Sequence, residues 1–366
     1  MAPGRRAGAE PAGPPGGHRS ILFSLKNASP SGDFVFVDMP LEQLREYRPE
    51  RWEPAGFDAF WDRTLAETRR HDLDPVFTEV ETGLALVRCF DVRYAGFGGH
   101  EIRGWLLVPA AADGPLPCVV QYIGYNGGRG LPHDWLTWPV AGWAVFVMDS
   151  RGQGGGRAGD TADPVGGTGP QVSGKLTQGV LDPDGYYYRR LYADGVRAVE
   201  AARSHPLVDP SRVVVSGASQ GGALAMAVSA LVPDLLFAFI DVPFMSHIRH
   251  AAEITDEDPY AELGRFLRAN RHRDGQVFDT LDHFDGVNFA ARNTTPALFS
   301  VGLRDGVTPA STVFAAYNHY AGPKDIRVWR FNGHEGGESA QVAEHLKAAG
   351  DLLAGRLPLA AGELVP

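Results

Sequence analysis

The chain has 366 residues, 44% hydrophobic and 21% charged, enough for one large α/β domain or two smaller ones, and no apolar run approaches the length of a membrane span. A formal net charge of -10 and a pI near 5.6 set the surface against phosphate backbones and anionic lipid, so neither nucleic acid nor a membrane is an expected partner. Neutral or weakly charged small molecules suit that balance better.

The N-terminal extension, residues 1–32, is rich in Gly, Ala and Pro with scattered arginines. It cannot bury a core and is expected to be disordered. Its apolar triplet Ile21-Leu22-Phe23 is too short for a secretory h-region and no small-residue cleavage site follows, so the expected location is cytoplasmic. The rest, residues 33–366, reads as one catalytic-sized α/β domain. Residues 39–70 read as a helical entry region, with Phe57, Phe60, Trp61 and Leu65 spaced for one apolar face.

Strand-like runs then recur. Residues 84–92 and 101–108 predict a hairpin, and 117–123 and 143–148 are short apolar runs ending in polar or glycine-rich loops. Residues 212–215 form another, followed by a helix-like stretch over 222–231, and 235–242, 296–301 and 326–331 complete the set. Short β-rich runs alternating with helical stretches predict a mostly parallel sheet with helices on both faces. In such sheets the chemistry collects at the carboxyl ends of the strands. Two stretches break the rhythm. Residues 151–184 form a long loop rich in Gly, Asp and Pro, and 246–292 carry helical patterning without a strand, which predicts a helical cap over the strand ends. Cys89 and Cys118 sit in apolar strand-like stretches and read as small buried side chains rather than a disulfide or metal ligands. No Cys-x-x-Cys or His-Glu-x-x-His pattern is present.

The strongest chemical signal is Gly217-Ala218-Ser219-Gln220-Gly221, placed directly after a strand and before a helix. That is the context of a nucleophile elbow: the turn demands close backbone packing, hence glycine on either side, and it lifts the serine hydroxyl clear of the sheet. The hydroxyl needs a base. In this arrangement the chain order is Ser, acid, His. Asp305 follows the strand over 296–301, and His334 follows the strand over 326–331. Asp241 is the rival acid, since it also closes a strand, but one strand too early. None of His133, His205, His247, His250 and His283 follows the final strand, and His345 lies inside a helix-like run. Glu335 either tunes its neighbour or is a solvated carboxylate.

Acyl transfer also needs donors aimed at the developing oxyanion. The N–H of Gln220 is one by the geometry of the elbow. The second is expected from the glycine-rich loop after residues 117–123, where Tyr125 either supplies its N–H or simply packs its ring in the turn. Asp149-Ser150-Arg151-Gly152-Gln153 follows another strand end, and Arg151 either binds substrate or braces the loops.

Taken together, Arg151-Gly152-Gln153, Gly217-Ala218-Ser219-Gln220-Gly221 and His334-Glu335, in that order, resemble the acetyl xylan esterase and cephalosporin C deacetylase family, carbohydrate esterase family 7. The likeness extends to the segment from Gly124 through Gly130, to Tyr186-Tyr187-Tyr188-Arg189-Arg190 and to Phe284-Asp285-Gly286-Val287-Asn288-Phe289, covering roughly residues 36–353. The resemblance implies an α/β-hydrolase fold and deacetylation of small acetyl esters such as acetylated xylo-oligosaccharides and cephalosporin C. It implies Ser219 as nucleophile, Asp305 as acid, His334 as base, the N–H groups of Tyr125 and Gln220 as oxyanion hole, and Phe244 and Val307 lining the acyl pocket. It also implies a homohexamer with no cofactor, in which the loop over 151–184 is a subunit contact, and an ability to make peracids with hydrogen peroxide. Gly306-Val307-Thr308-Pro309-Ala310 departs from the family, where a bulkier apolar residue and a second proline are expected, so the acyl pocket is expected to be slightly roomier. Two other readings stand beside this one: a peptidase or broad carboxylesterase on the same scaffold, and a catalytically silent relative that binds or assembles.

Overall fold

The computed structural model describes residues 38–165, 169–172, 174–359 and 364–365, and the expected disordered extension over 1–32 lies outside them. Residues Phe36–Pro366 form one compact unit. The entry region folds as α1 (Leu41–Glu46) and α2 (Phe57–Thr68), and α2 buries the expected face of Phe57, Phe60, Trp61 and Leu65. Three strands follow, β1 (Val76–Val80), β2 (Val87–Ala95) and β3 (Glu101–Pro109), with β2 and β3 forming the expected hairpin.

The remaining elements alternate. They are β4 (Leu116–Tyr122), α3 (Thr137–Val140), β5 (Ala144–Met148), α4 (Tyr187–Ser204), β6 (Val208–Ala218), α5 (Gln220–Leu231) and β7 (Phe237–Asp241). Four helices without a strand come next: α6 (Ile248–Ile254), α7 (Tyr260–Ala269), α8 (Asp274–Leu281) and α9 (Gly286–Ala290). The chain closes with β8 (Ala297–Gly302), α10 (Ala310–His319), β9 (Lys324–Trp329), α11 (Glu338–Leu353) and β10 (Leu364–Val365).

Among the described residues ten strands make one sheet, in the order β1-β2-β3-β5-β4-β6-β7-β8-β9-β10. It is antiparallel from β1 through β3 to β5 and parallel from there on. This is the mostly parallel sheet expected, and burial explains its sequence: β5 and β8 are covered on both faces, so β5 reads as an unbroken apolar run and β8 as one interrupted only by Ser300. Alternate side chains go to opposite faces. Val120, Phe146, Val215, Ile240 and Phe299 pack into one core with α4, α5 and α10. Val119, Val145, Val214, Phe239 and Leu298 face a second core closed by Trp138 of α3 and Ala348 and Ala349 of α11.

Cys89 and Cys118 are both free and buried. Burial pushes the Cys118 thiol up to about 12, which keeps it protonated and poorly nucleophilic. Among the described residues no helix is long and apolar enough to cross a membrane.

The elements that position the site are β4 and β6 to β9, whose ends run level: Gln121 pairs with Ser216, Ala218 with Asp241, Asp241 with Ser300, and Gly302 with Trp329. Loops leaving these five ends therefore meet. Asp285, at the start of α9, ties that helix to the start of α6: its buried carboxylate accepts the N–H groups of His247, Ile248 and Val287 at 2.9, 2.7 and 2.9 Å.

Candidate active site

Between β6 and α5 the backbone turns so sharply that Ser219 takes φ 59°, a left-handed value that a side-chain-bearing residue holds only when its surroundings enforce it. They do. The Ser219 N–H donates to the Asp241 carbonyl at 3.0 Å, and its own carbonyl accepts from Phe244 N and Ala223 N, each at 3.0 Å. A Cβ on Gly217 would lie 2.3 Å from the Gly221 backbone, and one on Gly221 would lie 2.5 Å from the Tyr122 carbonyl oxygen. Both glycines are thus required by contact. Ser219 caps the N-terminus of α5, where the unsatisfied N–H groups favour negative charge.

His334, in the loop after β9, places Nδ1 2.9 Å from Oδ2 of Asp305, in the loop after β8. Asp305 is buried, and a turn of its own loop saturates it. Oδ1 accepts Val307 N at 2.8 Å and Thr308 N at 2.9 Å, and Oδ2 accepts the Thr308 hydroxyl at 2.7 Å. With Nδ1–H committed to the carboxylate, Nε2 of His334 keeps its lone pair. Asp241, the rival acid, is turned away: its carboxylate accepts Gln341 Nε2 at 2.8 Å and stands 3.1 Å from His345 Nε2. Glu335 folds back on its own loop and accepts from Asn332 Nδ2 and Gly333 N, each at 3.0 Å. The backbone N–H groups of its own residue and of Gly333 hold its carboxyl below the usual range.

Ser219 and His334 line one open cavity of about 600 Å³, with Tyr125, Val307, Trp135, Arg157 and Pro259 among its other walls. Phe244 is not among them. Its ring is wholly buried, 4.6 Å from that of Tyr260 and 6.2 Å from that of Tyr125, because Phe244 N is drawn back onto the elbow and the ring goes inward with it. The expectation that Phe244 lines the pocket is therefore corrected: it supports Tyr125 from behind.

Among the described residues no protein acceptor takes the N–H of Tyr125 or Gln220. A buried amide network spans the two peptides. Gln153 Oε1 accepts Asn126 N at 2.5 Å, and its Nε2 donates to Gln220 Oε1 and to the Tyr187 hydroxyl, each at 2.9 Å. Tyr188 donates to the same Gln220 oxygen at 3.0 Å, and Gln220 Nε2 donates to the Ile123 carbonyl at 3.2 Å. Arg151 does not face the cavity. It is fully buried and forks onto Asp194 of α4 at 2.5 and 2.7 Å, a bidentate brace between loop and helix.

Thr308, Glu262, Tyr187, Tyr188, Trp135 and Arg157 join the site without having been singled out in the sequence for it. Thr308 has a legible signal, an Asp followed three residues later by a hydroxyl, whereas Glu262 has none because it arrives from α7. Its buried carboxylate accepts the Tyr125 hydroxyl at 2.9 and 3.0 Å and Leu176 N at 3.3 Å, and burial pushes it up to about 7. In the unfolded chain that group returns to about 4.5. The folded state then holds the proton more tightly, so this contribution to stability is complete below about pH 4.5 and is lost as pH rises through about 7. Glu262→Gln should gain melting temperature relative to the wild type across that window, by scanning calorimetry, and a constant offset would show that Glu262 does not titrate there. No group of three or more metal-ligating side chains is disposed for a metal ion among the described residues.

Residues 34–351 match the family model described as acetyl xylan esterase (AXE1). The chain belongs to the acetyl xylan esterase family. Two solved family structures are similar throughout. The acetyl xylan esterase from Paenibacillus sp. R4 is 37% identical with a TM-score of 0.80, the match covering 87% of this chain and 100% of that one. Acetyl xylan esterase 1 from Thermoanaerobacterium sp. JW/SL YS485 is 33% identical with a TM-score of 0.78, covering 84% of this chain and 98% of that one. Acetyl esterase Axe7A of Xylanibacter ruminicola is 27% identical over 296 residues, 78% of this chain, and the match spans 65% of that relative's length. The α/β-hydrolase fold expected from the sequence is thereby shown.

Proposed function

We propose that this member of the acetyl xylan esterase family is a carboxylic ester hydrolase that removes acetyl groups from small acetylated sugars, xylo-oligosaccharides foremost, and from cephalosporin C. The observation that carries the reading is the His334–Asp305 hydrogen bond at the rim of the cavity onto which Ser219 opens. Family membership supports it.

Nε2 of His334 takes the Ser219 proton as Oγ attacks the acetyl carbonyl, and the carbonyl electron pair moves onto oxygen, facing the N–H groups of Tyr125 and Gln220. Collapse expels the sugar oxygen, which takes the proton from His334. Water then attacks the acetyl-enzyme with His334 again as base, releasing acetate and restoring Ser219. Asp305 holds the tautomer and stabilises the imidazolium. No metal or organic cofactor has a role in these steps. The same reading includes a cytoplasmic homohexamer with the loop over 151–184 at a subunit contact, tested by light scattering in multiples of 39.4 kDa.

The chain-length test uses p-nitrophenyl esters. From acetate to butyrate kcat/KM should fall by at least about tenfold, because a site matched to an acetyl group excludes each added methylene at about that cost or more. A flat series would point to a broad carboxylesterase, and turnover of peptide p-nitroanilides to a peptidase.

A further inference from the structure

The hydroxyl of Tyr125 joins the loop after β4 to two distant parts of the chain. It donates to the Glu262 carboxylate of α7 at 2.9 and 3.0 Å. It accepts Leu176 N at 3.2 Å and Lys175 N as well, both from the loop over 151–184. A phenol has one proton and two lone pairs, so its bonding capacity is spent. Burial and the adjacent carboxylate push that hydroxyl up from its ordinary value, which keeps it a donor. Glu262 is enclosed in turn. Leu176 N donates to it at 3.3 Å, and any side chain on Gly174 would run into its oxygens. The other charged or titratable groups around it are few. Asp258 and Arg265 lie on its own segment, paired with each other at 2.7 Å. The Tyr186 hydroxyl, at the start of α4, donates to the Leu176 carbonyl at 2.8 Å, and the Lys175 ammonium is drawn off to Gln178 Oε1 at 3.1 Å.

The backbone of the same residue faces the chemistry. Tyr125 sits at the first corner of a turn closed by Gly127 N on the Gly124 carbonyl at 3.0 Å, and its own N–H has no protein acceptor among the described residues. The next peptide is held, since Asn126 N donates to Gln153 Oε1 at 2.5 Å. About that fixed end the residue is still free to tilt unless its ring is fixed too, and Glu262 holds the tip of the ring. We propose that Glu262 is a positioning residue for acyl transfer: as a carboxylate it anchors the Tyr125 ring and so fixes the aim of the Tyr125 N–H at the oxyanion, which rests on the esterase reading above. Protonation undoes the anchor. The phenol and two backbone N–H groups already donate in this cluster, and a carboxylic acid adds a further donor while removing an acceptor site. Burial pushes Glu262 up to about 7, so the change falls near neutral pH. The N–H is well aimed above that value and loosened below it.

The test compares kcat on p-nitrophenyl acetate for the full-length wild type and Glu262→Gln across pH. Glutamine stands for the protonated acid at every pH, and the His334 base is common to both proteins, so the ratio of their rates isolates Glu262. The two should run level well below about pH 7. Well above it the wild type should be about tenfold faster with KM nearly equal, a smaller loss than the ~10² or more that follows outright removal of an oxyanion donor. A merely structural role would move the other way. Over the same window the variant gains melting temperature on the wild type, so a kcat that followed stability would rise with it. Tyr125→Phe cuts the link from the other side, and in that background Glu262→Gln should no longer change kcat. Should Glu262→Gln fail to fold, the ratio of wild type to Tyr125→Phe should show the same rise through about 7. A ratio flat across pH, an effect confined to KM, or additive losses in the double variant overturns the proposal. A wild type that leaves p-nitrophenyl acetate intact would instead overturn the esterase reading, and this proposal with it.

Discussion

Ser219→Ala is expected to lower kcat on p-nitrophenyl acetate by about 10⁶, the loss known when a serine hydrolase loses the one atom that forms the acyl bond. The fold should survive, because alanine fits the same left-handed turn and the hydrogen bonds that enforce it run through backbone atoms, Ser219 N to Asp241 O and Phe244 N to Ser219 O. Activity loss and an unchanged melting curve together are the expected result. Some rate above that in water should remain from binding and from the N–H donors of Tyr125 and Gln220. A variant keeping more than about 1% of the wild-type kcat would place the nucleophile elsewhere.

Asp305→Asn is expected to cost about 10⁴ in kcat while leaving KM nearly unchanged. The hydrogen bonds say why. Val307 N and Thr308 N both donate to Oδ1, so the amide oxygen of asparagine must stay there, and its NH₂ takes the place of Oδ2 opposite His334 Nδ1. Nδ1 then becomes an acceptor, the ring proton moves to Nε2, and the atom that should receive the Ser219 proton already carries one. Asp241→Asn is the control. Its carboxylate serves Gln341 and His345, so a larger kcat loss there than in Asp305→Asn would reverse the assignment of the acid.

The parallel half of the sheet is legible because buried strands read as apolar runs and their ends as glycine-rich or polar loops; every run from 117 to 331 that the pattern marks becomes a strand. β1 escapes because its Val76-Phe77-Thr78-Glu79-Val80 is a largely exposed edge with no buried alternation. α4 escapes for the opposite reason. Four arginines make it look solvated, yet Arg190 is buried against Asp163 at 2.9 Å and Arg197 against the Ala95 and His71 carbonyls. Strand-end position together with chain order picks out Ser219, Asp305 and His334, and the structure brings Asp305 onto His334 and His334 onto the cavity of Ser219. What pattern does not reach is support arriving from distant segments, such as Glu262 from α7 or Tyr188 from α4, since a hydrogen bond across 137 or 32 residues leaves no local mark. Phe244 shows the same limit: nothing in its neighbours says which way the ring turns.

The backbone lacing at the strand ends has an evolutionary side. Ser219 N holds Asp241 O, Phe244 N holds Ser219 O, Val242 N holds Ser300 O, and the Thr308 hydroxyl reaches the Val242 carbonyl at 3.3 Å. Three of these four bonds run between main-chain atoms, so drift in side chains around them leaves that stitching alone, and only the fourth depends on a hydroxyl. Trp135 and Arg157 line the cavity onto which Ser219 opens but belong to no such seam. The fold thereby divides its mutable vocabulary in two, with the cavity side chains free to be rewritten and the strand-end turns held largely by the main chain itself.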